Sequence, residues 1–184
     1  MKIISGSARG MNLKSPRGKR IRPTSQKVKA AFFNIVHDNI YGACFLDLFS
    51  GSGGMGLEAL SRGAKECVFV DKNRDSIHLI QENVGLVKMQ EKASIVDGDA
   101  CRVLLRFSQK QVCFDIIYVD PPYKYDKIQE ILFVIQEGRL LSEGGIIGVE
   151  RSNRNDALWG LSPFPLQQKK VYGDTALYIL GFRE

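Results

Sequence analysis

Asp120-Pro121-Pro122-Tyr123 is the stretch of this chain best suited to chemistry. It follows the apolar run 114–119, which reads as a buried parallel strand. A carboxylate, two ring-locked residues and an aromatic at a strand end predict a rigid pocket for a flat, nitrogen-bearing substrate. Open α/β sheets place their ligands at that edge. An exocyclic base nitrogen is a poor nucleophile because its lone pair is delocalised into the ring. Asp120 and the Pro121 carbonyl can both accept hydrogen bonds from such an amino group and so aim its lone pair. Methyl transfer would make the nitrogen cationic, and a carboxylate can stabilise that charge and take the proton. Tyr123 offers a face for stacking, worth roughly 1–3 kcal/mol per base. A base inside a duplex would have to be flipped out to reach it.

A second motif supplies a ligand loop. In Leu46-Asp-Leu-Phe-Ser-Gly-Ser-Gly-Gly-Met-Gly56, residues Gly51, Gly53 and Gly56 fit GxGxxG between an expected strand and an expected helix. Asp71 closes the next strand, well placed for ribose hydroxyls. A dinucleotide and S-adenosylmethionine both fit that pattern. Asp47 favours the second, because a carboxylate there can meet the methionine ammonium, whereas a pyrophosphate would be repelled. Asp99, ahead of Ala100, can accept from an adenine amino group, and can equally cap a helix; the two roles are compatible.

Charge is uneven. Residues 1–37 carry nine lysines and arginines and no acid, a +9 segment, while the whole chain is +6, so the remainder is −3. Within that arm Arg9, Lys14, Arg17, Lys19, Arg20, Arg22 and the polar Thr24 form a candidate polyanion surface. Glycines and prolines at turn-like intervals, with 3–4 and 11–13 as short strand candidates, predict a hairpin rather than a tail. The four cysteines, Cys44, Cys67, Cys101 and Cys113, form no CxxC pair, and the chain has two histidines. A metal site is therefore not expected, and buried reduced thiols are. No apolar run reaches the roughly 18 residues of a membrane span. The start of the chain is too polar for a signal peptide, so a cytoplasmic protein is expected.

These motifs need a scaffold. A helix through Val28, Ala31, Phe32, Ile35 and Val36 is expected, capped at Thr24 or Ser25. Strands at 44–49, 66–71, 94–96, 114–119 and 146–150 alternate with helices at 55–62, 74–84, 100–107 and 127–136. Segments 168–171 and 175–182 flank a hairpin turn. That is one α/β domain over residues 1–184: a basic hairpin-and-helix extension at 1–40 and a catalytic core at 44–184. The sheet is mostly parallel and ends in an antiparallel element.

Tyr118-Val-Asp-Pro-Pro-Tyr123 resembles the amino-methyltransferase signature [ND]-P-P-[FYW]. Similar tetrapeptides occur in enzymes that methylate amino groups of DNA bases, of guanine in RNA, and of a release-factor glutamine. Ile3-Ile-Ser-Gly6, Arg9-Gly10, Arg22-Pro-Thr24, Phe33-Asn34, the glycine loop, Gly56-Leu-Glu-Ala-Leu-Ser-Arg-Gly63 and Tyr172-Gly-Asp-Thr-Ala-Leu-Tyr178 together resemble the RsmD family nearly end to end. That family comprises bacterial enzymes that methylate a guanine 2-amino group of small-subunit (16S) ribosomal RNA. The resemblance implies a class I methyltransferase fold, Rossmann-like, with a seven-stranded sheet whose last strand is antiparallel. It implies a cofactor site of Asp47, Phe49, Ser50, Gly51, Ser52, Gly53, Asp71 with Lys72, and Asp99 with Ala100. It places Arg22 to Thr24 near cofactor and base, and makes ribosomal RNA, in the small subunit or an assembly intermediate, the partner. A monomer is expected.

Other functions fit less of the chain. A DNA amino-methyltransferase normally needs a target-reading insertion, and a helix is expected within a few residues of Tyr123. A glutamine methyltransferase would carry Asn at 120. An NAD-binding oxidoreductase leaves the Asp-Pro-Pro-Tyr loop without a role. The residues themselves do not select guanine.

Overall fold

Strand and helix alternate along the chain and assemble into one seven-stranded sheet of order β3-β2-β1-β4-β5-β7-β6. The structure, a computed structural model, describes residues 1–15, 23–122, 125–153 and 162–181, with residues 23–25 described by backbone only. The elements are α1 Pro23–Ile35, β1 Cys44–Leu48, α2 Gly54–Ser61, β2 Glu66–Asp71, α3 Arg74–Leu86, β3 Ala93–Asp97 and α4 Ala100–Gln109. They continue with β4 Phe114–Val119, α5 Ile128–Glu137, β5 Leu141–Ser152, β6 Leu166–Tyr172 and β7 Thr175–Gly181. β1 to β5 pair in parallel. β7 runs antiparallel to both β5 and β6. A two-residue turn joins β6 to β7, with Gly173 at φ +62 supplying the left-handed step such a hairpin requires.

Each face of the sheet carries its own core. Phe32, Leu57, Leu60 and Ile80, from α1 to α3, pack on one face over Phe45, Phe69 and Tyr118. Val103, Leu104, Ile131 and Leu132, from α4 and α5, pack on the other over Leu46, Leu48 and Val119. Strands covered on both faces are why these segments read as continuous apolar runs. Among the described residues no helix is long and apolar enough to cross a membrane.

Three local expectations change. α1 starts at Pro23, so Thr24 lies in its first turn and is not its cap. Proline suits that position, where its fixed φ is helical and its missing N–H is not needed. β5 starts at Leu141 and not at 146, because the strand runs through Gly144 and Gly145 with a slip in pairing against Phe114 and Ile116. Gly144 takes φ +71 there, as a bulge requires. Finally, all four cysteines are free, but Cys67 alone is buried, and Cys113, just ahead of β4, is exposed.

Candidate active site

The sheet order reverses between β1 and β4. They are parallel neighbours with Leu48 opposite Val119. Their following helices pack on opposite faces, α2 with one core and α5 with the other. A crevice opens outside strand ends at such a point. The Asp120 N–H still donates to Leu48 O at 3.4 Å. The Asp-Pro-Pro motif therefore leaves the sheet beside Phe49, the first residue of the glycine loop. Neighbouring strands are about 4.8 Å apart, so both motifs open on one crevice. Farther along the same edge stand Asp71, at the end of β2, and Asp99, just past β3.

The glycine loop is held by side chains from neighbouring strands. Gly51 N–H donates to Asp71 Oδ2 at 2.9 Å, and Asn73 N–H donates to Asp71 Oδ1 at 2.9 Å. Ser50 Oγ donates to Asp47 O at 2.6 Å and accepts from Val70 N–H at 2.9 Å. Gly51 and Gly53 take φ +56 and +76. A Cβ on Gly51 would meet nothing nearer than Phe49 O at 4.0 Å, so the outer side of the loop is open to a ligand. A Cβ on Gly56 would strike the Phe69 ring and the Cys67 sulfur. The third glycine thus serves the close packing of α2 on β2. Phe49 is in the left-handed region at φ +60, a conformation costing on the order of 1–3 kcal/mol for a residue with a Cβ. Its ring stands edge-on to Tyr125, with centroids 5.0 Å apart.

Asp47 is 2 % exposed and accepts from Gly56 N–H at 2.9 Å. Burial pushes its pKa up to about 7, against the Gly56 hydrogen bond, and the negative Asp71 adds to the rise. Ser52 is buried, Lys72 is exposed, and Asp99 caps α4 through Arg102 N–H at 3.4 Å, ahead of buried Ala100. The predicted cofactor residues gather on one edge. However, both oxygens of Asp71 already hold backbone, so Asp71 shapes the loop as well as facing the crevice.

On the acceptor side Asp120 and Pro122 are exposed and Pro121 is buried. Tyr125 N–H donates to Pro122 O at 2.8 Å. Tyr123 lies outside the described residues. Arg151, on β5, donates from Nη2 to Tyr125 O at 2.9 Å. It is 8 % exposed, and among the described residues its buried Nη1 has no hydrogen-bond partner. Beneath the motif, buried Tyr118 donates from its hydroxyl to Glu150 Oε2 at 2.8 Å.

The arm is hairpin-like, with a bridge between Lys2 and Asn12 and with Ile3, Ala8 and Leu13 in the core. Its charge is not all outward. Lys29 is buried, pairs with Glu58 at 3.2 Å and donates to Lys2 O at 2.8 Å. Lys14 pairs with Glu82 at 3.1 Å at the surface, and Arg9 is exposed. Arg17, Lys19, Arg20 and Arg22 lie outside the described residues, as does the side chain of Thr24. Sequence reasoning passed over Glu58, Asn83, Tyr125 and Arg151. Glu58 and Asn83 sit in helices where a polar residue ordinarily marks the solvent face, and here the arm covers them.

The chain matches a family model, "Conserved hypothetical protein 95", over residues 1–181. YlbH of Bacillus subtilis, provisionally described as an rRNA methyltransferase, is 36% identical over 179 residues, 97% of each chain. Ribosomal RNA small subunit methyltransferase D of Escherichia coli is 32% identical over 184 residues, all of this chain and 90% of that one. The structure of yhhF from Escherichia coli, provisionally described as a methyltransferase, superposes with a TM-score of 0.86 at 29% identity, covering 100% of this chain and 99% of that one.

Proposed function

The chain belongs to the conserved hypothetical protein 95 family, and from that premise we propose that it methylates the exocyclic 2-amino group of a guanine in small-subunit ribosomal RNA, using S-adenosylmethionine. One observation carries the reading: the glycine loop and the Asp-Pro-Pro motif leave adjacent parallel strands, with Asp120 N–H still on the β1 ladder. Donor and acceptor would therefore meet in a single crevice. The donor set suits this cofactor. Asp47 complements an ammonium, Asp71 ribose hydroxyls and Asp99 an adenine amino group, and a pyrophosphate would meet the wrong sign of charge. Bound there, the cofactor supplies an electrophilic methyl group. Asp120 and the Pro121 carbonyl accept from the target amine and turn its lone pair toward the loop. Asp120 then faces the cationic nitrogen and can take its proton. Tyr123 stacks on the base, and the exposed cations of the arm hold phosphates.

The test incubates the purified protein and methyl-labelled cofactor with protein-free small-subunit RNA and with small subunits lacking the modification. Label on N2 of one guanine is the expected result. Label on adenine, on cytosine, on DNA or on protein would replace this substrate with another. A protein that takes up NAD and not S-adenosylmethionine would end the reading altogether.

A further inference from the structure

Asn83, on α3, is fully buried and uses every hydrogen-bonding group it has. Its Nδ2 donates to Lys14 O at 3.0 Å and to Ser52 O at 2.9 Å, and its Oδ1 accepts from Lys14 N–H at 2.8 Å. One amide thus ties the hairpin part of the arm to the glycine loop. Lys14 stands three residues ahead of Arg17, the first of the basic residues Arg17, Lys19, Arg20 and Arg22, and Ser52 lies between the two left-handed glycines. Glu58 also clasps the arm, accepting from Ile4 N–H at 2.8 Å and Ser5 N–H at 3.0 Å, but among the described residues its carboxylate bonds the arm and Arg62 and not the loop. Met1 adds a contact, since a Cβ on Gly54 would strike its thioether.

We propose that Asn83 is a positioning residue that couples the two binding functions: it sets the arm for RNA and the glycine loop for the cofactor as one unit. This rests on the proposed function, in which the loop holds S-adenosylmethionine and the arm holds RNA. Removing the amide strands the buried Ser52 carbonyl and the part-buried N–H and carbonyl of Lys14, so both segments must shift to find other partners. Coupling of this kind is reciprocal, and a cofactor that orders the loop must also order the arm.

Hydrogen exchange and binding test it. In the wild type, saturating S-adenosylhomocysteine should slow exchange of the Lys14 amide by about fivefold or more, since that amide donates to Asn83, which in turn holds Ser52. Asn83→Ala should abolish that slowing and weaken S-adenosylhomocysteine binding by about tenfold. It should raise the KM for RNA with kcat at saturation little changed. Asn83→Asp keeps the acceptor for Lys14 N–H but loses both donations, so it should keep Lys14 protected and still lose cofactor affinity. A Lys14 amide indifferent to the ligand in wild type overturns the coupling, and that measurement stands even if a variant fails to fold. A lowered melting temperature with unchanged cofactor affinity and KM would reduce Asn83 to a structural residue. A wild type that binds S-adenosylhomocysteine yet methylates no RNA would end the proposed function and leave this test standing.

Discussion

In the proposed reaction the glycine loop is the donor side of the crevice and the Asp-Pro-Pro segment the acceptor side, neighbours built on different plans. The glycine loop is fixed from outside itself: Asp71 holds Gly51, Ser50 ties β1 to β2, and Asn83 holds Ser52. The ties described for the Asp-Pro-Pro segment run through the backbone: Asp120 N–H stays on Leu48 O, and Tyr125 N–H reaches Pro122 O. Proline rings restrict it, and Arg151 donates to Tyr125 just beyond it. A small donor molecule of constant shape can be met by a loop locked before it arrives. A base carried by a large RNA must be admitted, and ring-locked φ angles keep a pocket stiff without walls that would block it. If this contrast is right, damage on the acceptor side should cost rate, and damage on the donor side should cost cofactor affinity.

The largest effect expected is that of Asp120→Ala. It removes the group that aims the amine and faces its developing charge, so the methylation rate at saturation should fall by about 10²–10⁴-fold. Cofactor affinity, read by calorimetry, should stay near wild type, since Asp120 is exposed beyond the loop. Loss of cofactor binding in this variant would break the contrast, because Asp120 would then belong to the donor side. Next comes Asp71→Ala, which strands the Gly51 and Asn73 amides. A lost hydrogen bond to a charged group costs about 1.5–3 kcal/mol, or about ten- to a hundredfold in cofactor affinity. With cofactor saturating, the rate should recover most of its wild-type value. A low rate that saturation does not restore would place Asp71 in the chemistry.

The same contrast explains what could be read from the sequence. The donor side was legible because its signals are local. Gly51, Gly53 and Gly56 answer backbone and packing demands within one strand–turn–helix unit, and Asp71 ends the next strand. The Asp-Pro-Pro motif was legible for the same reason. Its supports were not: Arg151 approaches from β5, an unlike stretch of chain, and Tyr125 is one aromatic among several. Asn83 and Glu58 were hidden by periodicity, because a polar residue in an amphipathic helix implies solvent, and the chain that covers them is the arm itself. The +9 charge of residues 1–37 overstated the surface available to RNA. Lys29 is spent inside against Glu58, where burial pulls its pKa down and the Glu58 carboxylate opposes that. The start of β5 was missed because Gly144-Gly145 looks like a loop and is a bulge.

A pH effect sharpens the donor side further. The Asp47 carboxyl titrates near 7 in the free protein, well above the usual value of about 4, because it is buried. Folding therefore favours its neutral form, and this group lowers stability as pH rises from about 4 to about 7, with no further change above. A cationic ligand reverses the preference by favouring the anion. S-adenosylmethionine should bind more tightly as pH climbs through 7, by up to about tenfold between pH 6 and 8, with proton release on binding. Asp47→Asn should flatten that profile in a calorimetric titration. A wild-type profile already flat would mean that the ammonium sits elsewhere and that Asp47 serves the Gly56 amide alone.

The smallest effect tests whether the acceptor side gives up stability for position. Arg151 is almost wholly buried, which pulls its pKa down, and among the described residues its Nη1 lacks a partner. A buried, incompletely paired cation costs free energy, and an apolar side chain of similar length is often neutral or stabilising in its place. Arg151→Met should then leave the melting temperature unchanged or raised. It should still lower kcat/KM for RNA by about two- to tenfold, the worth of the hydrogen bond that Arg151 gives the Tyr125 carbonyl. Cofactor affinity should not move. If instead the melting temperature drops by several degrees and activity follows it, Arg151 is an ordinary structural residue. The acceptor side would then be held as firmly as the glycine loop, by ties that the β5 strand supplies.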